Sequence, residues 1–180
     1  AHATAVHAPG APLEPGRTDY PRNVEDTPAI RAAREAGLAF EVVRTRPPAS
    51  AEESAALQGI RLGQLLRTIV DRRGRGDYLL VLVPAGREID WPKLRAHLGV
   101  SRLSLPDEAE AREATGYERG AITPLGSTGA WPVIADRSIL DLDRVAIGGG
   151  ARGVNLHLDA GSLLAAVGAE VADVTRPRDR

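Results

Sequence analysis

Gly120 and Pro124 stand four positions apart inside "TGYERGAITPLGS", residues 115–127. Chemistry is suggested here by the backbone rather than by any reactive side chain. Pro124 fixes its own φ and cannot donate to a strand ladder, and Gly120 can take torsions that turn its N–H outward. A loop held open in this way can offer amide donors to a carbonyl oxygen that is becoming negative, as an oxyanion hole does. Taken by itself, the stretch reads first as a connecting loop and second as a backbone-presenting site. Gly116 is the expected stop of the helix before it, and Tyr117 starts the loop.

Other reactive constellations are missing from the chain. It has no cysteine, which excludes disulfides, thiolate metal ligands and cysteine nucleophiles together. Two of its four histidines fall near the start, and His97 sits on a helix with no histidine four positions on. That scatter makes no metal site, so neither metal nor cofactor is expected. Lys93 is the only lysine, and arginine does not lose its proton in proteins. No nucleophile elbow, phosphate-binding P-loop or HExxH helix occurs. "GGGARG", residues 148–153, matches the dinucleotide pattern, which requires a helix directly after it. Val154 to Leu158 alternate with period two instead, which is a strand, so only a glycine-rich turn survives. The same alternation turns Val154, Leu156 and Leu158 to the core. It leaves Asn155 and His157 on a face read as solvated, with His157 a candidate base.

These residues need a scaffold, and the chain signals one of alternating helices and strands. Thr27 caps a helix with Pro28 at its first position and Gly37 past its end. Ser50 and Glu53 form a capping box for a helix reaching about Gly59. Asp90 caps residues 89–99, with Ile89 and Leu94 as a hydrophobic staple and Gly99 as stop. Residues 106–116 read as a polar helix, and Asp159 caps the last one. Strands are expected at 38–45, 66–71, 77–84, 131–136, 144–148, 153–158 and 170–175. Residues 66–71 and 77–84 form a hairpin through "RRGRG". The expected class is a single compact α/β domain over 24–176. A proline-bearing flexible arm at 1–23 precedes it, and a tail at 177–180 follows.

Composition agrees with that frame. The chain has 180 residues, 43% hydrophobic and 26% charged, with a formal net charge of −1. It is long enough for its own core, and no global field draws it to nucleic acid. No apolar run approaches membrane-spanning length, so no membrane contact and a cytoplasmic location are expected.

"TGYERGAITPLG", then "PVIAD", "GGGARGVNLHL" and "AGSLLAAVGAEVADVTRP", resemble the YbaK/EbsC-type aminoacyl-tRNA deacylases. These are freestanding relatives of the editing domain in bacterial prolyl-tRNA synthetases. The similarity spans roughly residues 25–176. It implies a curved, partly barrel-like mixed sheet flanked by helices, and hydrolysis of the ester joining a wrong amino acid to the 3′ adenosine of a tRNA. Water or a substrate group does the chemistry there, with no cofactor. The implied partners are the acceptor end of mischarged tRNA and an aminoacyl-tRNA synthetase, for a monomer or weak dimer.

Carried onto this chain, the resemblance makes Arg67, Gly120 and Asn155 the catalytic set. Tyr117, Ile122, Pro124, Gly148, Gly149 and Gly150 become the substrate-binding set. Three positions depart from the family pattern. Arg67 stands where a lysine is usual, Gly148 where serine is common, and Asn155 where aspartate is common. Arg67 keeps a charge that can grip phosphate in two-pronged fashion but cannot carry a proton. The alternative expectation is a noncatalytic module that binds a tRNA acceptor end or a protein.

Overall fold

The structure is a computed structural model that describes residues 26–179, so the arm read at 1–23 lies outside the described residues. Helix α1 (Pro28–Glu35) starts where Thr27 Oγ1 accepts from the Ile30 N–H at 3.1 Å. Strand β1 (Phe40–Arg44) and helix α2 (Ala51–Gln58) follow, the helix capped by Ser50 and stopped by left-handed Gly59. Glu53 does reach back, but to the N–H of Ala49 and to Arg46 rather than to Ser50. After a short 3₁₀ turn come β2 (Leu66–Gly74), β3 (Asp77–Pro84) and β4 (Arg87–Ile89). Helices α3 (Trp91–Leu98) and α4 (Glu108–Thr115) are next, then β5 (Val133–Asp136), β6 (Arg144–Gly148) and β7 (Val154–Asp159). Helix α5 (Ala160–Ala166), β8 (Glu170–Ala172) and β9 (Thr175–Pro177) complete the described chain.

The strands form three sheets: β1-β7-β6, β2-β3-β5-β8 and the pair β4-β9. A parallel bridge from Leu65 to Ala146 joins the first two, and no closed barrel forms among the described residues. β3 is central, pairing antiparallel with β2 and parallel with β5, which explains its near-continuous apolar run. On one of its faces Leu80 and Leu82 pack with Val70, Ile30, Leu156, Leu158 and Leu163 in the main core. On the other, Leu79, Val81 and Val83 pack with Ile89 and Leu94, so both staple residues lie in one cluster. Each fully buried side chain of this kind contributes about 1.5–3 kcal/mol.

Three readings change. The single closing strand expected at 170–175 is two, because Val174 and Thr175 turn the chain from β5 to β4. Pairing runs on through Pro177, and the Arg178 N–H donates to Gly86 O at 3.0 Å, so backbone order continues into the stretch read as a tail. The β2–β3 hairpin is also longer than expected. Its strand absorbs Arg72 to Gly74 and turns on Gly76 at φ 69°.

Candidate functional site

A cleft of about 960 Å³ opens along β2. Arg67, Gly120, Ile122, Gly148 and Asn155 all line it, although they come from four separate segments. The cap of α2 and the start of α4 form its sides, with Leu105 and Pro106 at one end. The topology makes this convergence intelligible. Asn155 pairs with Gly148 across β6 and β7, and the Leu65–Ala146 bridge sets that pair beside the start of β2.

The Gly120–Pro124 loop enters this cleft with backbone to spare. Gly120 has φ 86°, and a Cβ there would meet nothing nearer than Arg152 Nε at 3.9 Å. Its left-handed torsion is the reason for glycine, since space is available. Ala121 donates to Glu118 O at 2.9 Å, which fixes the turn. The N–H groups of Gly120 and Ile122 make no hydrogen bond among the described residues. Gly148 backs the loop, because a Cβ at that position would lie 3.2 Å from Ile122 O.

Arg67 borders the cleft but is tethered. Strand alternation sends its side chain to the Val81 and Val83 face, away from the Leu66 and Val70 core. Its guanidinium donates to Arg87 O at 2.6 Å, and its Nε is buried without a partner. Burial lowers its pKa, helped by the Arg178 charge and opposed by Glu52 and Glu88. The group stays charged nonetheless.

Four of the expected contacts lie outside the cleft lining. Tyr117 is buried, and its hydroxyl donates to Leu125 O at 2.7 Å. Burial pushes its pKa up to about 12. Pro124 lines a separate recess of about 320 Å³ with Trp131 and Gly126. Gly149 and Gly150 are packed inward: Thr27 Oγ1 donates to Gly149 O, and a Cβ on Gly150 would sit 3.0 Å from Tyr117 Cε1. The lack of a Cβ lets Gly149 pack against Val154 and Gly150 against Tyr117, Ala29 and Thr27.

The solvated face expected for Asn155 and His157 is covered. His157 is 7% exposed, and its Nε2 lies 2.8 Å from Gln58 Oε1. Gln58 Nε2 in turn donates to Ser54 Oγ at 2.9 Å. β7 is paired on both edges, and α2 closes over its second face. Burial lowers the pKa of His157, with Arg144 adding to it and Glu41 opposing, and the ring is not among the residues lining the cleft. Ser54, Thr68, Leu105 and Arg119 also line the cleft and were not singled out. Ser54 and Gln58 are four apart on α2, a spacing that put both on one buried face and was the available signal.

Among the described residues no cluster of metal-ligating side chains occurs, and no helix is long and apolar enough to cross a membrane.

The aminoacyl-tRNA editing domain family matches residues 45–165. A protein of Enterococcus faecalis named "Putative Cys-tRNA(Pro)/Cys-tRNA(Cys) deacylase EbsC" is 23% identical over 136 residues, covering 76% of this chain and 83% of that one. A proline–tRNA ligase of Stenotrophomonas maltophilia is 32% identical over 148 residues, 78% of this chain and 25% of the ligase. The chain thus spans about a quarter of such ligases. A solved structure described as "a putative trans-editing enzyme for prolyl tRNA synthetase" superposes with TM-score 0.75 at 28% identity, covering 84% of this chain and 98% of that one.

Proposed function

Because this chain belongs to the aminoacyl-tRNA editing domain family, we propose that it hydrolyses mischarged aminoacyl-tRNA in trans, using main-chain amides as its electrophilic aid. The observation that carries the reading is the pair of unbonded N–H groups at Gly120 and Ile122, on a loop lining the cleft shared with Arg67, Gly148 and Asn155. The ester carbonyl of the substrate lies against those amides. A water adds to the carbonyl carbon, and the oxygen that gains charge is met by donors already fixed in place. The carbon–oxygen bond to the terminal ribose then breaks, and the ribose oxygen takes up the proton that the water releases. Products are the free amino acid and the uncharged tRNA.

Asn155 is neutral and serves to orient the water or the amino group. The proton passes through water or the substrate, since Arg67 does not release one. Arg67 supplies a fixed positive charge at the cleft wall for the phosphate of the terminal nucleotide. The RNA contact is confined to the acceptor end, in keeping with a net charge of −1, and the setting is the cytoplasm, where charged tRNA is found.

The test is single-turnover deacylation of a panel of mischarged tRNAs, proline-accepting tRNA charged with smaller amino acids included. At least one should lose its amino acid far faster than in buffer. A parent protein that accelerates none of them defeats the hydrolase reading.

A further inference from the structure

The strand that walls the cleft is open on its outer side, and the opening is short. β2 is the edge of its sheet. Near its start Leu65 bridges Ala146. Near its end Arg72 exchanges both backbone bonds with Ser104, donating at 2.8 Å and accepting at 3.0 Å. Arg72 therefore turns both groups away from β3. An antiparallel ladder alternates, so Thr68 and Val70 turn their N–H and C=O to that same outer edge. Both residues line the cleft. Beyond Ser104 the chain continues along the cleft as Leu105 and Pro106. Pro106 has no N–H to offer, and the Val70 N–H makes no bond to that segment. Thr68 Oγ1 is buried there without a partner.

An open edge invites an added strand, but the two stops leave only two residues' outer groups between them. That is too little for a peptide strand, whose usual length is about 5–6 residues. It suits a flat heterocycle. The C=O of one strand residue and the N–H two residues on stand side by side, which matches a ring with an amine next to an acceptor nitrogen. Leu105, 58% exposed at the same end of the cleft, supplies an apolar face for such a ring.

We propose that the open edge of β2 binds the adenine of the terminal adenosine: Thr68 C=O accepts from its exocyclic amine, Val70 N–H donates to N1, and Leu105 and Pro106 cover one ring face. This rests on the reading of the cleft as a site for aminoacyl-tRNA. The ester on that nucleotide's ribose then extends toward Gly120 in the same cleft.

Acceptor-stem RNAs ending in adenosine, 7-deazaadenosine, purine riboside or inosine, all carrying the same amino acid, separate the possibilities. Purine riboside lacks the amine, inosine reverses donor and acceptor, and 7-deazaadenosine keeps both groups. The kcat/KM for purine riboside should fall roughly ten-fold, as for one lost hydrogen bond, and that for inosine further. The 7-deazaadenosine RNA should match adenosine. Equal rates for all four overturn the proposal. If no charged RNA is hydrolysed, the hydrolase reading has failed separately, and equilibrium binding of the same four uncharged RNAs decides the edge. Tighter binding of the adenosine and 7-deazaadenosine ends than of inosine supports it, and equal binding or none overturns it.

Discussion

Two buried aspartates mark two contrasting regions. At the end of β5, Asp136 is 2% exposed and its oxygens are fully engaged. Oδ1 accepts from Val174 N at 3.1 Å and Thr175 N at 3.0 Å, and Oδ2 from Ser138 N at 3.0 Å and from the Ser138 hydroxyl. Burial works to raise its pKa, but the bonds from Ser138, Val174 and Thr175 prevail and hold the carboxyl below its usual range. On β2, Asp71 is 0% exposed and neither of its oxygens has a partner. Burial pushes its pKa up to about 7. The Arg67 Nε and Thr68 Oγ1 on the same strand are likewise unbonded. The corner around Asp136 spends its polar groups on holding β5, β8, β9 and the 3₁₀ turn after β5 together. Strand β2 leaves these polar groups unspent; Arg67 and Thr68 among them line the cleft while Asp71 lies behind it, and a site that must bind something else needs such a reserve.

The sharpest way to break this contrast is Asp136→Ala. It strands the buried Val174 and Thr175 N–H groups and should cost about 3–5 kcal/mol, read as a lower midpoint in urea. A loss under 1 kcal/mol would mean that the corner is not the anchor.

The next effect is a pH dependence from Asp71. Folded, the carboxyl keeps its proton up to about pH 7; unfolded, only to about 3.8. Between those values the folded chain binds more protons, so stability is fully present below about pH 4 and falls as pH rises toward 7. The total change is at most about 4 kcal/mol. Urea titrations from pH 4 to 8 should show the decline, and Asp71→Asn should flatten this part of it.

Gly120→Ala probes the cleft side directly. Open space around the new methyl leaves only the left-handed torsion as a cost, about 1–2 kcal/mol. Relaxation of that torsion swings the amide, so hydrolysis should drop by up to about 10²–10³-fold in a protein that remains folded by circular dichroism. A folded variant at the parental rate would remove the amide mechanism.

The smallest change is expected for Gly148→Ser. Its Cβ lands 3.2 Å from Ile122 O, so the loop must yield by a few tenths of an ångström. Stability should move by less than about 1 kcal/mol in calorimetry, with the rate altered through the neighbouring loop.

Local chemistry was legible in the chain and remote chemistry was not. Thr27, Ser50, Asp90 and Asp159 cap the helices they signal, because a cap needs only neighbours within a few positions. The α/β class and the strand runs followed from periodicity in the same way. β4 was not read as a strand, and its Ile89 was placed in the following helix, since three residues give no period and its partner β9 lies far along the chain. His157 looked solvated because the alternation of β7 says nothing of α2 lying over it. The cleft residues Gly148 and Asn155 were reached through motif resemblance, and Arg67 too, but its bond to Arg87 O depends on a turn that the sequence does not reveal. Glycines looked alike in sequence. Gly120 stands in open space and Gly150 is wedged against Tyr117, Ala29 and Thr27, a difference that exists only after packing.

The pairing of β1 with β7 bears on how the molecule is made on the ribosome. Partners so distant in the chain carry a large loop-closure cost, so folding of this topology is slow and late compared with a helical bundle. β7 also carries Asn155 and completes the hairpin with β6 that ends at Gly148. A nascent chain that has not yet released β7 holds β1 unpaired and has only part of its cleft. The cleft can therefore be complete only after β7 has emerged, and the exposed β1 edge is the segment that a chaperone would have to shield until then.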